Sequence, residues 1–411
     1  MNVLHISGSD VGGGSARSAM NLHRSLRSMG VGSRMYVARK GGDDPDVAEL
    51  VRHRSLQLIE RATGMIVDAV GFQYVFYPSS WWLRMDRWFR AADVIQLYNI
   101  HGGFFSLHAL PWLSRAKPIV WRLSDMWPLT GHCAYSYSCD RWLTGCGRCP
   151  LLTEYPALRF DTTHLMWRLK KSAYRSSELI VVAPSRWIAG LAAKSPLLRH
   201  VPIHRIANGI DATTFFPSNK KEARRALGLK AETPVVLFVA GSLSEPRKGA
   251  AFVFEALSRL GQGRAMKPLL LLAGGGRLAD ESSVSVKYLG FERDESMLRL
   301  AYSAADVMVL PATAENLPNA ILESMACETP VVAFDVGGVS DAVIHLETGY
   351  LAKAQDIDDL CAGVALILDN PERCETMGRK GAQLVAQEFE LTTQTRRVVQ
   401  LYDEIIQERH G

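Results

Sequence analysis

The chain runs through one pattern twice. A short apolar segment, Asn2–Ser7 (NVLHIS), leads into Gly12, Gly13 and Gly14 and then into the helical stretch SARSAMNLHRSLRSMG. Further apolar runs at Val94–Tyr98, Ile119–Leu123 and Leu179–Ala183 alternate with helical or loop segments. The pattern restarts at Val235–Gly241 (VVLFVAG), followed by the helical AAFVFEALSRLG and strand-like runs at Leu269–Gly276, Val307–Leu310 and Val331–Phe334. Strands of this kind, each followed by a turn and a helix, predict parallel sheets covered by helices. The expected fold is therefore α/β, with two doubly wound domains. Their expected bounds are 1–204 and 205–390, joined through IHRIANGIDATTFFPSNKKEARRALGL. The amphipathic stretch 391–411 is expected to form a last helix that packs back across the joint.

A length of 411 residues agrees with two cores rather than one. No stretch reaches the roughly 18 uncharged apolar residues that cross a bilayer, and the opening MNVLHISGSDVGGG lacks the flanks of a signal peptide, so a cytoplasmic location is expected. The net charge of +5 is uneven: residues 1–200 hold 25 basic against 14 acidic side chains, and the remainder 22 against 28. A basic first half suits anionic lipid, a phosphorylated acceptor or nucleic acid, although solvated faces give the same count. Trp81, Trp82, Trp88 and Phe89 interleave with charge between Arg84 and Arg90, a composition that suits either a core or the inner face of a membrane.

The sharpest constellation is ENLPNAILE, in which Glu315 and Glu323 stand seven residues apart directly after the strand VMVLPAT. Pro318 fits a first helical turn, where no N–H donor is needed. Asn316, Leu317, Pro318 and Asn319 then mark a helix start at a strand's C-terminal edge, where free N–H groups and the macrodipole attract phosphate. Glu323, two turns in, is placed to accept hydrogen bonds from a ribose diol, and Glu315 in the loop to reach a sugar. The chain here resembles the retaining family 4 glycosyltransferases, and the resemblance covers nearly its whole length. It continues into SMACETPVVAFDVGGVSDAV through Ala326, Pro330, Val331 and Gly338. It implies two Rossmann-like domains facing a central cleft, the GT-B fold, with Glu323 on the ribose and Glu315 on the donor sugar.

GSLSEPRKG, after the strand VVLFVA, puts Arg247 and Lys248 at the same kind of edge, where adjacent cations can neutralise a diphosphate. By resemblance they are the family's diphosphate-binding pair, although Ser242 stands where many members carry Arg. Gly274 ends another strand, and Leu289 lies in YLGF (Tyr288–Phe291), which resembles the segment whose backbone meets the nucleobase.

On the N-terminal side the spacing G-x-G-x-x-G is absent, so a nicotinamide cofactor is not expected. The resemblance places Gly13 and Gly14 beside donor phosphate or acceptor. In WRLSDMW, Ser124 replaces the His that relatives carry before Asp, while Asp125 is retained; His101 and His132 are the imidazoles left to serve the acceptor side. Cys133, Cys139, Cys146 and Cys149 follow C-x5-C-x6-C-x2-C, a density that favours structural zinc over redox-active thiols or disulfides, and similar cysteine-rich loops occur in one branch of the family. No basic helix accompanies them, so nucleic acid is not an expected partner.

The resemblance implies transfer of a sugar from a nucleoside diphosphate sugar to a hydroxyl of a glycan, with retention and with a lipid-linked oligosaccharide as acceptor. Arg247, Lys248 and the helix start supply positive charge, so no catalytic metal is required. A sugar-nucleotide epimerase, or a non-catalytic partner subunit on account of Ser124, are the alternatives.

Overall fold

A computed structural model describes every residue except 52–53, 263, 278–283, 291–293 and 411. The chain divides into two units, Met1–Ala207 with Gln394–Gly411, and Asn208–Thr393.

Among the described residues the first unit is built on seven strands: β1 (Asn2–Ser9), β2 (Gly32–Arg39), β3 (Val47–Glu49), β4 (Val94–Leu97), β5 (Ile119–Arg122), β6 (Leu179–Ala183) and β7 (Ile203–Arg205). They lie in the order β3-β2-β1-β4-β5-β6-β7, and every neighbouring pair is parallel. Alternation along each strand sends side chains to opposite faces. Leu4, Ile6, Ile95, Leu97, Ile119 and Trp121 join a large aromatic-rich core on one side. Val3, Val94, Val120 and Val182 turn to the other, where they meet Leu22 and Leu26 of α1 (Gly13–Ser28). That second core is closed by Val398, Leu401, Tyr402 and Ile405 of the C-terminal helix, Leu391–His410. Tyr402 Oη donates to Gln96 Oε1 at 2.6 Å, so the buried hydroxyl is satisfied within β4.

The second unit holds β8 (Val235–Ser242), β9 (Leu269–Gly275), β10 (Ser285–Gly290), β11 (Val307–Leu310), β12 (Val331–Phe334) and β13 (Gly349–Ala352). Their order is β10-β9-β8-β11-β12-β13, again parallel throughout. The stretch read from sequence as a joint is mostly structure of this unit. Its helix Lys220–Ala226 is anchored by Arg224, which donates to Asp306 Oδ2 at 2.7 Å, and the same oxygen accepts the Val235 N–H that opens β8. In each sheet the order of progression reverses once, between β1 and β4 and between β8 and β11. Loops leaving the C-terminal ends of such a pair diverge and leave room for a ligand.

Replacing Leu401 by Ala is expected to lower the stability of the first unit by about 2–4 kcal/mol, the cost of a cavity in a packed core. The exposed Gln400→Ala control should shift it by less than about 0.5 kcal/mol. Urea unfolding of both variants checks this, and equal midpoints would mean that the helix does not close the core.

Candidate active site

Arg247 and Lys248 lie in a short 3₁₀ turn, Pro246–Lys248, that follows β8, and Glu315 lies in the loop after β11. β8 and β11 are the neighbours at the reversal, so residues far apart in sequence meet at one edge. Lys248 Nζ donates to Glu315 Oε1 at 2.5 Å, and Arg247 Nη1 donates to the same oxygen at 2.9 Å. Arg247 also donates to the Ala314 carbonyl at 2.7 Å and, through Nε, to Glu245 at 2.9 Å. Burial alone would push the Glu315 carboxyl up, but Lys248 and then Arg247 outweigh it and hold its pKa below the usual carboxylate value. Gly337, at φ +60°, leaves room for this loop: an added Cβ would collide with the Glu315 carbonyl oxygen.

The helix after Glu315 begins later than its sequence suggests. Pro318, at φ −73° and ψ 125°, is extended and caps the helix Asn319–Ala326 instead of forming its first turn. Glu323 is accordingly one turn in, not two. It is 1% exposed, and its Oε2 accepts the Tyr302 hydroxyl at 2.8 Å. Asn316, Leu317 and Asn319 are buried, and Asn208 Nδ2 donates both to the Leu317 carbonyl at 3.0 Å and to Asn319 Oδ1 at 2.9 Å. Gly274 and Leu289 stand near the C-terminal ends of β9 and β10, on the same sheet edge. Gly274 lies so close to the Ala240 carbonyl that a side chain would not fit. Phe291, the last residue of YLGF, lies outside the described residues.

In the first unit, His101 follows β4 and Asp125 follows β5. His101 Nε2 lies 2.9 Å from Asp125 Oδ2, and Asn99 Nδ2 donates to that oxygen at 3.2 Å. The Trp127 N–H holds the other carboxylate oxygen at 2.9 Å. Tyr155 Oη stands 3.4 Å from His101 Nδ1, so the ring is gripped at both nitrogens. Asn99 and Tyr155 did not stand out in the sequence: Asn99 is two residues from a noted His, whereas nothing local marks Tyr155. Ser124 bonds Ser15 across 3.0 Å, tying the β5 loop to α1. Gly12 and Gly13 have φ of 76° and 69°, and no atom lies within 4 Å of a Cβ built on either or on Gly14.

His132 is not joined to this group. It is buried against the Pro156 carbonyl at 3.1 Å and Cys149 Sγ at 3.3 Å. Cys133, Cys139, Cys146 and Cys149 line one small cavity with it. All seven cysteines carry free thiols, and burial pushes Cys133 up to about 12 and Cys146 to about 11. The Gly131 N–H donates to Cys146 Sγ at 3.2 Å and the Leu151 N–H to Cys149 Sγ at 3.4 Å. Among the described residues no group of three or more His, Cys, Asp or Glu side chains is arranged as a metal site. Beside it, Lys170 is fully buried, with Nζ donating to the Trp127 carbonyl at 2.6 Å and the Thr130 carbonyl at 3.0 Å.

Glu315 has a folded pKa below its unfolded value of 4.5, so its pairing contributes stability above about pH 4.5 that is lost as pH falls through the folded value. Lys248→Met is expected to destabilise the second unit by about 2 kcal/mol at pH 7, less than for a fully buried pair because Lys248 is partly exposed. The gap to the native chain should narrow once acid protonates Glu315. Urea titrations at pH 7 and pH 3.5 measure both gaps, and equal gaps would show that the contact is not ionic.

Residues 219–384 match the model of the family described as glycosyl transferases group 1. Over 352 residues the chain is 25% identical to the Escherichia coli (strain K12) protein assigned to colanic acid biosynthesis as the glycosyl transferase WcaC, across 81% of this chain and 83% of that one. It is 33% identical over 227 residues to an alpha-maltose-1-phosphate synthase of Mycobacterium tuberculosis (strain ATCC 25618 / H37Rv), 48% of this chain and 57% of that relative. Among solved structures, sucrose-phosphate synthase from Thermosynechococcus elongatus superposes with a TM-score of 0.69 at 20% identity, over 99% of this chain and 100% of that one. HepE of Anabaena, solved with UDP-glucose, superposes with a TM-score of 0.67 at 18% identity, over 98% and 100%. Residues 219–384 thus match a group 1 glycosyl transferase domain, and the two parallel α/β units have the GT-B fold of the solved structures they superpose on.

Proposed function

We propose that this chain is a glycosyltransferase that moves a sugar from a nucleoside diphosphate donor onto a hydroxyl of a growing glycan, with retention at the anomeric carbon. The observation that carries the reading is the pair Arg247 and Lys248, oriented by Glu315 at the β8/β11 reversal beside the start of the Asn319–Ala326 helix. Arg247 and Lys248 hold their N–H donors at this edge, paired with Glu315 and, for Arg247, with the more exposed Glu245, and the helix N–H groups add positive potential beside them. As the bond from the anomeric carbon to the diphosphate breaks, the charge gathering on the leaving oxygen falls within reach of these groups. The acceptor oxygen bonds to that carbon, and its proton passes to the departing phosphate oxygen, so no separate base is needed. The cations already supply the field that a metal ion would otherwise provide.

Glu323, its Oε2 fixed by Tyr302, offers a carboxylate for the ribose hydroxyls. Gly274 and Leu289 border the nucleobase. On the first unit, the Asp125, His101 and Tyr155 array orients the acceptor side, and the open space beside Gly13 and Gly14 admits a ligand's close approach. The acceptor we favour is a lipid-linked oligosaccharide in polysaccharide assembly. The assignment of WcaC to colanic acid biosynthesis and the UDP-glucose bound to HepE support a glycan product and a nucleotide-sugar donor.

Thermal shift and transfer assays with a panel of nucleotide sugars test the reading. Glu323→Ala and Lys248→Ala should each lower kcat/KM by about 100-fold or more, the scale seen when a group aimed at developing charge is removed. The donor-induced shift should shrink in parallel, and the product's anomeric coupling should match the donor's. Unchanged turnover in both variants would remove the site assignment, and an inverted product would remove retention.

A further inference from the structure

We infer that the first unit carries a face that seats in the interface of an anionic phospholipid bilayer, built on α2 (Arg54–Ala69) and α3 (Pro78–Trp82). The packing of α2 is the reverse of the usual one. Leu58, Ile59, Ala62, Met65, Ile66 and Ala69 follow the spacing of one helical face, and that face looks outward. Leu58 is 65% exposed, Met65 69% and Ile66 68%. The inward side is Glu60, which accepts the Ser79 N–H at 2.7 Å, and Gly64, which lets the Tyr77 hydroxyl close in. A helix that served only the core would put its apolar stripe where Glu60 and Gly64 now lie.

The Glu60 bond joins α2 to α3, so the apolar surface continues into Trp81 and Trp82, both exposed, and on to Met85. The Arg84 guanidinium lies 4.0 Å from the centre of the Trp112 ring and extends the face to a third exposed indole. Indoles favour the headgroup level of a bilayer, where an apolar ring meets a polar edge. Arg61, Arg87 and Arg90 are exposed around it. Residues 54–90 hold five arginines against three acids, of which Glu60 turns inward and Asp86 caps the Arg87–Ala91 helix. Acyl chains answer the stripe and phosphate headgroups answer the arginines. Among the described residues no helix is long and apolar enough to cross a membrane, so the contact lies in the membrane plane.

Sedimentation of the full chain with vesicles of phosphatidylcholine, alone or mixed with phosphatidylglycerol, tests this without any donor, so its failure leaves the proposed activity standing. The native chain should pellet with the phosphatidylglycerol vesicles and less so at high salt. Ile66→Asp should lower the partition coefficient by about tenfold or more, and Arg87→Glu with Arg90→Glu should erase the preference for phosphatidylglycerol. Both proteins should melt like the native chain, since the changed side chains already face water. The inference is overturned if the native chain stays in the supernatant with both vesicles, or if Ile66→Asp partitions as the native chain does. It is equally overturned if the face instead mediates a concentration-dependent dimer that Ile66→Asp abolishes while vesicles are not bound.

Discussion

Every strand in both sheets runs parallel to its neighbours, and that constraint decides where chemistry can be placed. A parallel partner is reached only by a crossover, so each connection leaves a C-terminal edge, passes along a face of the sheet and returns to the opposite edge. All loops after strands therefore collect on one side. This brings Arg247 and Lys248, after β8, to Glu315, after β11, and brings His101, after β4, to Asp125, after β5. Neither cluster needs a long loop or a strained strand, because the reversal of strand order supplies the space.

The charges in the two clusters differ in kind. Around Glu315 a buried carboxylate takes bonds from two cations, both on one oxygen, while Arg247 also pairs with Glu245. An isolated buried carboxylate would be costly, and here the partners more than offset burial. The same arrangement holds the cations at fixed positions, which in the proposed reaction spares the diphosphate much of the cost of ordering two long side chains. Around Asp125 the partners are neutral donors and an imidazole, with a Tyr155 phenol that is 62% exposed at the outer end. The imidazole is contacted at both ring nitrogens, which fixes its orientation.

The buried central strands were legible because β11 is wholly apolar, β8 opens on six apolar residues, and β4 and β5 each carry one polar residue in an otherwise apolar run. The outer strands β3, β7 and β13 were not, being three or four residues long with one neighbour each. The Glu315 to Glu323 spacing and the Arg247-Lys248 pair could be read because each is a contiguous segment. Tyr155 could not, since it reaches His101 from a loop 54 residues away. The helix start was misplaced by the rule that favours Pro in a first turn, which gave way to an extended Pro318. The four cysteines, dispersed over 17 residues, line one cavity with His132.

The inward side of α2 shows how a sequence pattern can be right about a helix and silent about its orientation. Apolar residues at helical spacing specify a stripe, and a stripe usually finds the core. Here a single carboxylate bonded to the Ser79 N–H, and a glycine that admits Tyr77, fix the opposite side against the unit. Glu60 at that position is itself desolvated, and burial raises its pKa despite the Ser79 bonds. A sequence under selection for packing alone would replace it with Leu and bury the stripe beside it. Keeping the carboxylate inside and the apolar residues outside costs stability in water, a cost that the inferred bilayer contact would offset.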